Sequence, residues 1–167
     1  GDPTNSKNGQ GLYVGTSPSN SNAVSSSLVS FDFSSLPLPS AYDVISAYLV
    51  LTEISNSSGL EEFYCSSMIT DWDESSTWNS PSSSSNWVAP GAFHSSDSEL
   101  PIIHNYFDTE VEEKKCDITT ILQKSIFNGD ENLSVILQPE YDSNGAIQGQ
   151  FHFADSENSN VDYRPKL

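Results

Sequence analysis

The stretch Thr70-Asp71-Trp72-Asp73-Glu74-Ser75-Ser76-Thr77-Trp78-Asn79 gathers two tryptophans and three carboxylates, in a chain with only three tryptophans. Tryptophan buries most of its surface in folded proteins, whereas a carboxylate needs water or a cation. Asp71, Asp73 and Glu74 are therefore candidate oxygen ligands for Ca2+, a hard cation that takes about 6–8 oxygens. Their spacing is not that of an EF-hand, which needs a Gly at the sixth position and a Glu at the twelfth. The alternative is that Asp71 or Asp73 caps a turn while Trp72 and Trp78 fill the core. The opening loop is a second oxygen-rich candidate, with Asp2 sharing an ion with Asp155 or Asp162.

A sugar site needs an exposed aromatic ring to stack on the C–H face of a pyranose, beside amides or carboxylates that bond hydroxyls. Trp87 is the first candidate, in the polar loop Ser84-Ser85-Asn86-Trp87, with Asn86 beside it. Tyr141, near Asp142 and Asn144, and His94, in the same long loop as Trp87, are secondary candidates. The alternative for Trp87 is an anchor that pins a long loop to the body of the fold. Catalysis finds little support. With 23 acidic residues, a carboxylate pair at glycosidase spacing would arise by chance. His94, His104 and His152 lie in no metal motif, and the chain has no GxSxG elbow and no Gly-rich phosphate loop. The chain is read as not an enzyme.

Composition narrows the class of partner. Six basic residues against 23 acidic ones give a formal charge of -17. No basic patch can be assembled to neutralise phosphates or to meet an anionic membrane surface. No apolar run approaches the roughly 20 residues that span a bilayer. Abundant Ser, Asn and Asp with little Lys or Arg points to a secreted or cell-surface protein, and the 167 residues suit one domain, 1–167, belonging to a larger parent. Cys65 and Cys116 lie far apart with no CxxC or Cys/His neighbourhood, so the choice is between a disulfide and two buried thiols. A secreted setting favours the disulfide.

These residues must be positioned by strands. Alternation and β-branched content predict strands over 11–15, 27–33, 44–52, 61–69, 133–138 and 149–153, and a long one over 106–117 interrupted by charges. The 44–52 segment is so continuously apolar that it reads as a strand covered on both faces. The one good helix is predicted over 118–127, with Asp117 as N-cap and Asn128-Gly129 as its stop. Residues 79–100 are a Ser/Pro/Asn-rich loop broken by Trp87-Val88. Many short strands with one helix indicate an all-β, antiparallel β-sandwich.

The order of these segments resembles the DNRLRE-type domains of large secreted proteins, grouped with a family of carbohydrate-binding modules. Four stretches carry the likeness: residues 8–15, Leu28-Val29-Ser30-Phe31-Asp32-Phe33 running on to Ser46-Ala47-Tyr48-Leu49, the Asp71-Trp72-Asp73-Glu74 corner with Thr77-Trp78-Asn79, and Asp117-Ile118-Thr119 with the closing Arg164-Pro165-Lys166-Leu167. Ser30 stands where the family has its naming arginine, and the two cysteines lie outside the pattern. The resemblance implies a jelly-roll β-sandwich and a non-catalytic role. The expected function is a carbohydrate-binding module that attaches a secreted enzyme or cell-surface protein to polysaccharide or cell-surface glycan, as a monomeric domain, on a scaffold that could hold structural Ca2+. The alternative is a structural or adhesin stalk domain that binds protein or spaces its parent from the cell.

Overall fold

A computed structural model describes residues 11–17, 23–35, 43–57, 63–99, 107–110, 113–139 and 149–167, and among these described residues nine strands and one α-helix follow in chain order. The strands are β1 (Leu12–Thr16), β2 (Val24–Ser25), β3 (Ser27–Asp32), β4 (Tyr48–Ser57), β5 (Phe63–Ser67), β6 (Phe107–Glu110), β7 (Glu113–Asp117), β8 (Asn132–Pro139) and β9 (Gln150–Phe153). Helix α1 spans Thr119–Asn128. All strand pairs are antiparallel. They form a six-stranded sheet in the order β2-β1-β9-β4-β7-β6 and a three-stranded sheet in the order β3-β8-β5. This is the all-β, antiparallel sandwich with one short helix that the sequence predicts.

The core follows from side-chain alternation. Val14, Leu49, Leu51, Phe151 and Phe153 point inward from the larger sheet and meet Val29, Phe63, Leu133, Val135 and Leu137 of the smaller one. Phe63 packs against the stacked rings of Phe151 and Phe153, at centroid distances of 5.4 and 5.3 Å. Cys65 of β5 and Cys116 of β7 are fully buried here and joined by a disulfide, with Cα atoms 6.4 Å apart, so the bridge runs from sheet to sheet.

Three sequence expectations are corrected. The strand covered on both faces is β8, not β4. Val135 and Leu137 of β8 enter the main core, while Ile136 and Gln138 are buried on its other face. On β4, Leu49 and Leu51 face inward but Tyr48 is exposed and Val50 is half-buried. Second, residues 44–47 are not strand, because α1 takes their hydrogen bonds. Gln123 donates to the Val44 carbonyl (2.8 Å), Ile118 N–H to the Ala47 carbonyl (2.9 Å), and Ala47 N–H to Thr119 Oγ1 (2.9 Å). Third, the long strand expected over 106–117 is two strands, β6 and β7, paired antiparallel. The charged run reverses direction, and Lys114 turns inward to face Glu53 at 3.5 Å.

The stop at Gly129 falls where expected, whereas the N-cap position is Ile118 and the expected Asp117 lies one residue before it. Asp117 Oδ1 accepts hydrogen bonds from Thr119 N–H (2.9 Å) and Thr119 Oγ1 (2.6 Å), so it caps α1 one residue beyond the geometric N-cap, Ile118. Gly129 takes a left-handed conformation (φ 76°), and the Gly129 and Asp130 amides close the last turn on the Ile126 and Ser125 carbonyls. The closing segment adds a bridge to the larger sheet, with Lys166 exchanging both backbone hydrogen bonds with Val50.

Removing the disulfide frees a 51-residue separation in the unfolded chain. The chain-entropy model then predicts that the Cys65→Ala/Cys116→Ala variant loses on the order of 4 kcal/mol, read from urea denaturation against the oxidised protein.

Candidate ligand-binding ledge on the tryptophan loop

The outer face of the three-stranded sheet carries Leu28, Ser66, Ile136 and Gln138, and it is roofed by the long segment between β5 and β6. Trp87, Ala92 and Ile136 form a second buried cluster, with Leu28, Met68 and Trp72 packed around it. Two connections fasten the base of this segment beside β5. Met68 and Ser98 form a bridge, and Glu99 N–H donates to the Ser67 carbonyl (2.9 Å).

Asp97 is the clamp. The residue is 1% exposed. Its two carboxylate oxygens accept from Val88 N–H and Ala89 N–H, both at 3.1 Å, while its own carbonyl accepts from Ile69 N–H (2.9 Å) and Thr70 N–H (3.0 Å). A buried carboxylate persists only when hydrogen-bonded, and here backbone amides bond it from one side of the loop while its main chain holds the other. Nothing in the local sequence marks Asp97 out from the many other polar residues of this loop.

Trp87, the expected stacking ring, is 6% exposed, and its Nε1 donates to the Thr77 carbonyl at 3.0 Å. It is the loop's anchor and offers no free face to a sugar. The correction has a plain cause: the outer face of β8 needs an apolar cover, and Trp87 is laid on Ile136 with Ala92 to supply it. Trp72 is half-buried against the same cluster, and among the described residues its buried Nε1 has no hydrogen-bond partner.

The rings that do reach the surface are Trp78, half-buried, and Phe93, 36% exposed. Their centroids lie 5.8 Å apart with planes inclined at 59°, which makes a ledge of two tilted faces. Gly91 builds it. Its N–H donates to the Trp78 carbonyl (2.6 Å), its φ is +75°, and a Cβ there would come within 2.7 Å of the Trp78 ring and 2.8 Å of Phe93. The Pro90-Gly91 pair was a visible turn signal, and it could have pointed to the flanking aromatics. Ile69 and Val88, whose amides donate to Asp97, are exposed. His94 is exposed too, with Nδ1 accepting from Ser96 N–H (3.1 Å). Asn86 is exposed next to the buried Trp87.

The carboxylates do not converge as a ligand set. Asp71, Asp73 and Glu74 are all exposed, and among the described residues no group of three or more His, Cys, Asp or Glu is placed to hold a metal ion. Asp73 instead caps a turn, with Oδ1 accepting from Ser75 N–H (2.8 Å) and Ser75 Oγ (2.5 Å). The Ser75 hydroxyl and amide hold its carboxyl below the usual carboxylate range. Asp155 is buried and accepts from Gly11 N–H (2.6 Å) and Glu157 N–H (3.0 Å), which ties the start of β1 to the chain after β9. Asp162 is exposed on a short turn. Asp2 and Tyr141 lie outside the described residues.

No family model matches the chain, and no match to it is found among curated proteins.

Two outcomes test this geometry. Asp97→Ala leaves two amides without their acceptor. It should cost about 3 kcal/mol in urea denaturation and speed hydrogen exchange at Val88 and Ala89 more than in β8. The Asp73 turn bond belongs to the ionised carboxyl, so it is present at neutral pH and lost as pH falls through the lowered value. The Ser75 amide resonance should therefore titrate with a midpoint below that of an unstructured aspartate, and the Asp73→Asn variant should abolish that transition.

Proposed function

We propose that this chain is a non-catalytic carbohydrate-binding module of a secreted or cell-surface protein, and that the Trp78–Phe93 ledge is where glycan stacks. The observation that carries this reading is the pair of tilted, partly exposed rings held by a clamped loop. Aromatic faces supply contact area at little entropic cost, and a rigid mount reduces the ordering that binding would otherwise require. Asn79, which follows Trp78, and His94, which follows Phe93, are exposed polar groups next to the rings in sequence. The resemblance to DNRLRE-type domains points the same way. The disulfide is compatible with an oxidising, extracellular setting.

Asp97, the buried carboxylate of the same loop, has both oxygens engaged by backbone amides and so acts as a structural clamp. Ca2+ would act as structural support elsewhere and is addressed by repeating the measurement in EDTA.

A glycan-array screen tests the reading, with the wild type compared with Phe93→Ala. Loss of one stacking face should weaken binding roughly tenfold, equivalent to about 1.4 kcal/mol, with a smaller loss of melting temperature than truncation of the buried anchor Trp87, because Phe93 is 36% exposed and Trp87 6%. Trp87→Ala is the contrasting variant, and it should lower the melting temperature because the anchor is lost. No glycan bound by the wild type, with or without Ca2+, would sink this reading in favour of a structural or adhesin module.

A further inference from the structure

We infer that the ledge selects uncharged glycans and rejects polyanionic ones such as polyuronates and sulfated chains; this rests on the carbohydrate-binding reading. The argument is electrostatic. Between Lys7 and Lys114 the chain contains no Lys or Arg, so β1 to β5 and the whole ledge-bearing loop carry none. That loop carries Asp71, Asp73 and Glu74, all exposed.

The cations that follow are committed elsewhere. Lys114 is buried and faces Glu53 at 3.5 Å. Lys124 is paired with Glu99, at the foot of the loop. Arg164 donates its Nε to the Asn158 carbonyl (2.9 Å). Lys166 lies in the bridge to Val50 of β4, and Lys115 is on β7 of the larger sheet, whereas the loop roofs the smaller one. Recognition of a carboxylate or sulfate calls for an Arg fork or a Lys point charge, and among the described residues the ledge provides neither. The net charge of -17 adds a repulsive field, and among the described residues the loop meets a cation only at its foot, where Lys124 is paired with Glu99; Lys7 lies outside the described residues. Asp73 keeps its charge in mildly acidic solution, because the Ser75 hydroxyl and amide stabilise its ionised form. What remains is stacking and hydrogen bonding, which an uncharged pyranose satisfies.

Affinity gel electrophoresis decides the matter, using gels loaded with galactomannan, hydroxyethyl cellulose, polygalacturonate or heparin, in EDTA. Retardation is expected on at least one uncharged gel and on neither anionic gel. The retardation should change less than about twofold between low and physiological salt, over which the screening length falls from about 30 to about 8 Å. The Asp71→Lys/Glu74→Lys variant should gain retardation on polygalacturonate at low salt. Wild-type retardation on an anionic gel in EDTA would overturn the selectivity while leaving the carbohydrate-binding reading intact. Mobility unchanged on all four gels, together with a blank glycan array, would remove that reading and the selectivity with it.

Discussion

Much of this structure depends on one buried carboxylate holding a long loop against the back of a narrow sheet. A three-stranded sheet with apolar residues on both sides of β8 cannot leave one side in water. Residues 68–99 cover it, yet among them the only regular element is the single short helical turn Pro90–Ala92. Ordering such a stretch costs on the order of 1–2 kcal/mol per residue in backbone entropy. Burial of Trp87, Ala92 and Met68 offsets part of this, but apolar contact is non-directional and would not choose one loop conformation. Asp97 supplies the direction, because its side chain and main chain fasten opposite limbs of the loop.

The rest of the molecule is arranged around that second layer. The main core lies between the two sheets, and the disulfide crosses it from β5 to β7. β5 is also the strand from which the roofing loop departs, so the bridge stabilises the base on which the loop is built. Helix α1 closes another side and is joined to the loop by the Lys124–Glu99 pair. An exposed ion pair of this kind contributes little to stability, and its role is to register two elements rather than to hold them.

The functional reading turns on a division of labour among aromatic residues that lie close together in the chain. Trp87 is spent on the interior, Trp72 is shared with it, and Trp78 with Phe93 is left at the surface. A binding ring must be rigid and accessible at once, and those demands conflict for a single side chain. The loop resolves the conflict by burying one ring as an anchor so that two others can be presented.

Sequence alone determined the elements whose causes are local. Alternation marked β1, β3, β5, β8 and β9 to within a few residues, and Asp117 and Gly129 marked the ends of α1, because caps and pleats depend on near neighbours in the chain. It also narrowed the cysteines to two readings, and it indicated a sandwich from the number and shortness of the strands. Tertiary structure alone decided which strand is covered twice, which tryptophan is buried and which acid is structural. The apolar run at 44–52 predicted a doubly covered β4, but cover is supplied by segments distant in sequence, and the tryptophan loop lies on β8 instead. Trp87 and Phe93 carry no local sign of which will face water, and Asp97 differs from Asp71 only in what the fold brings to it. Burial is a property of the assembled layers, and no window of sequence contains both halves of the contact.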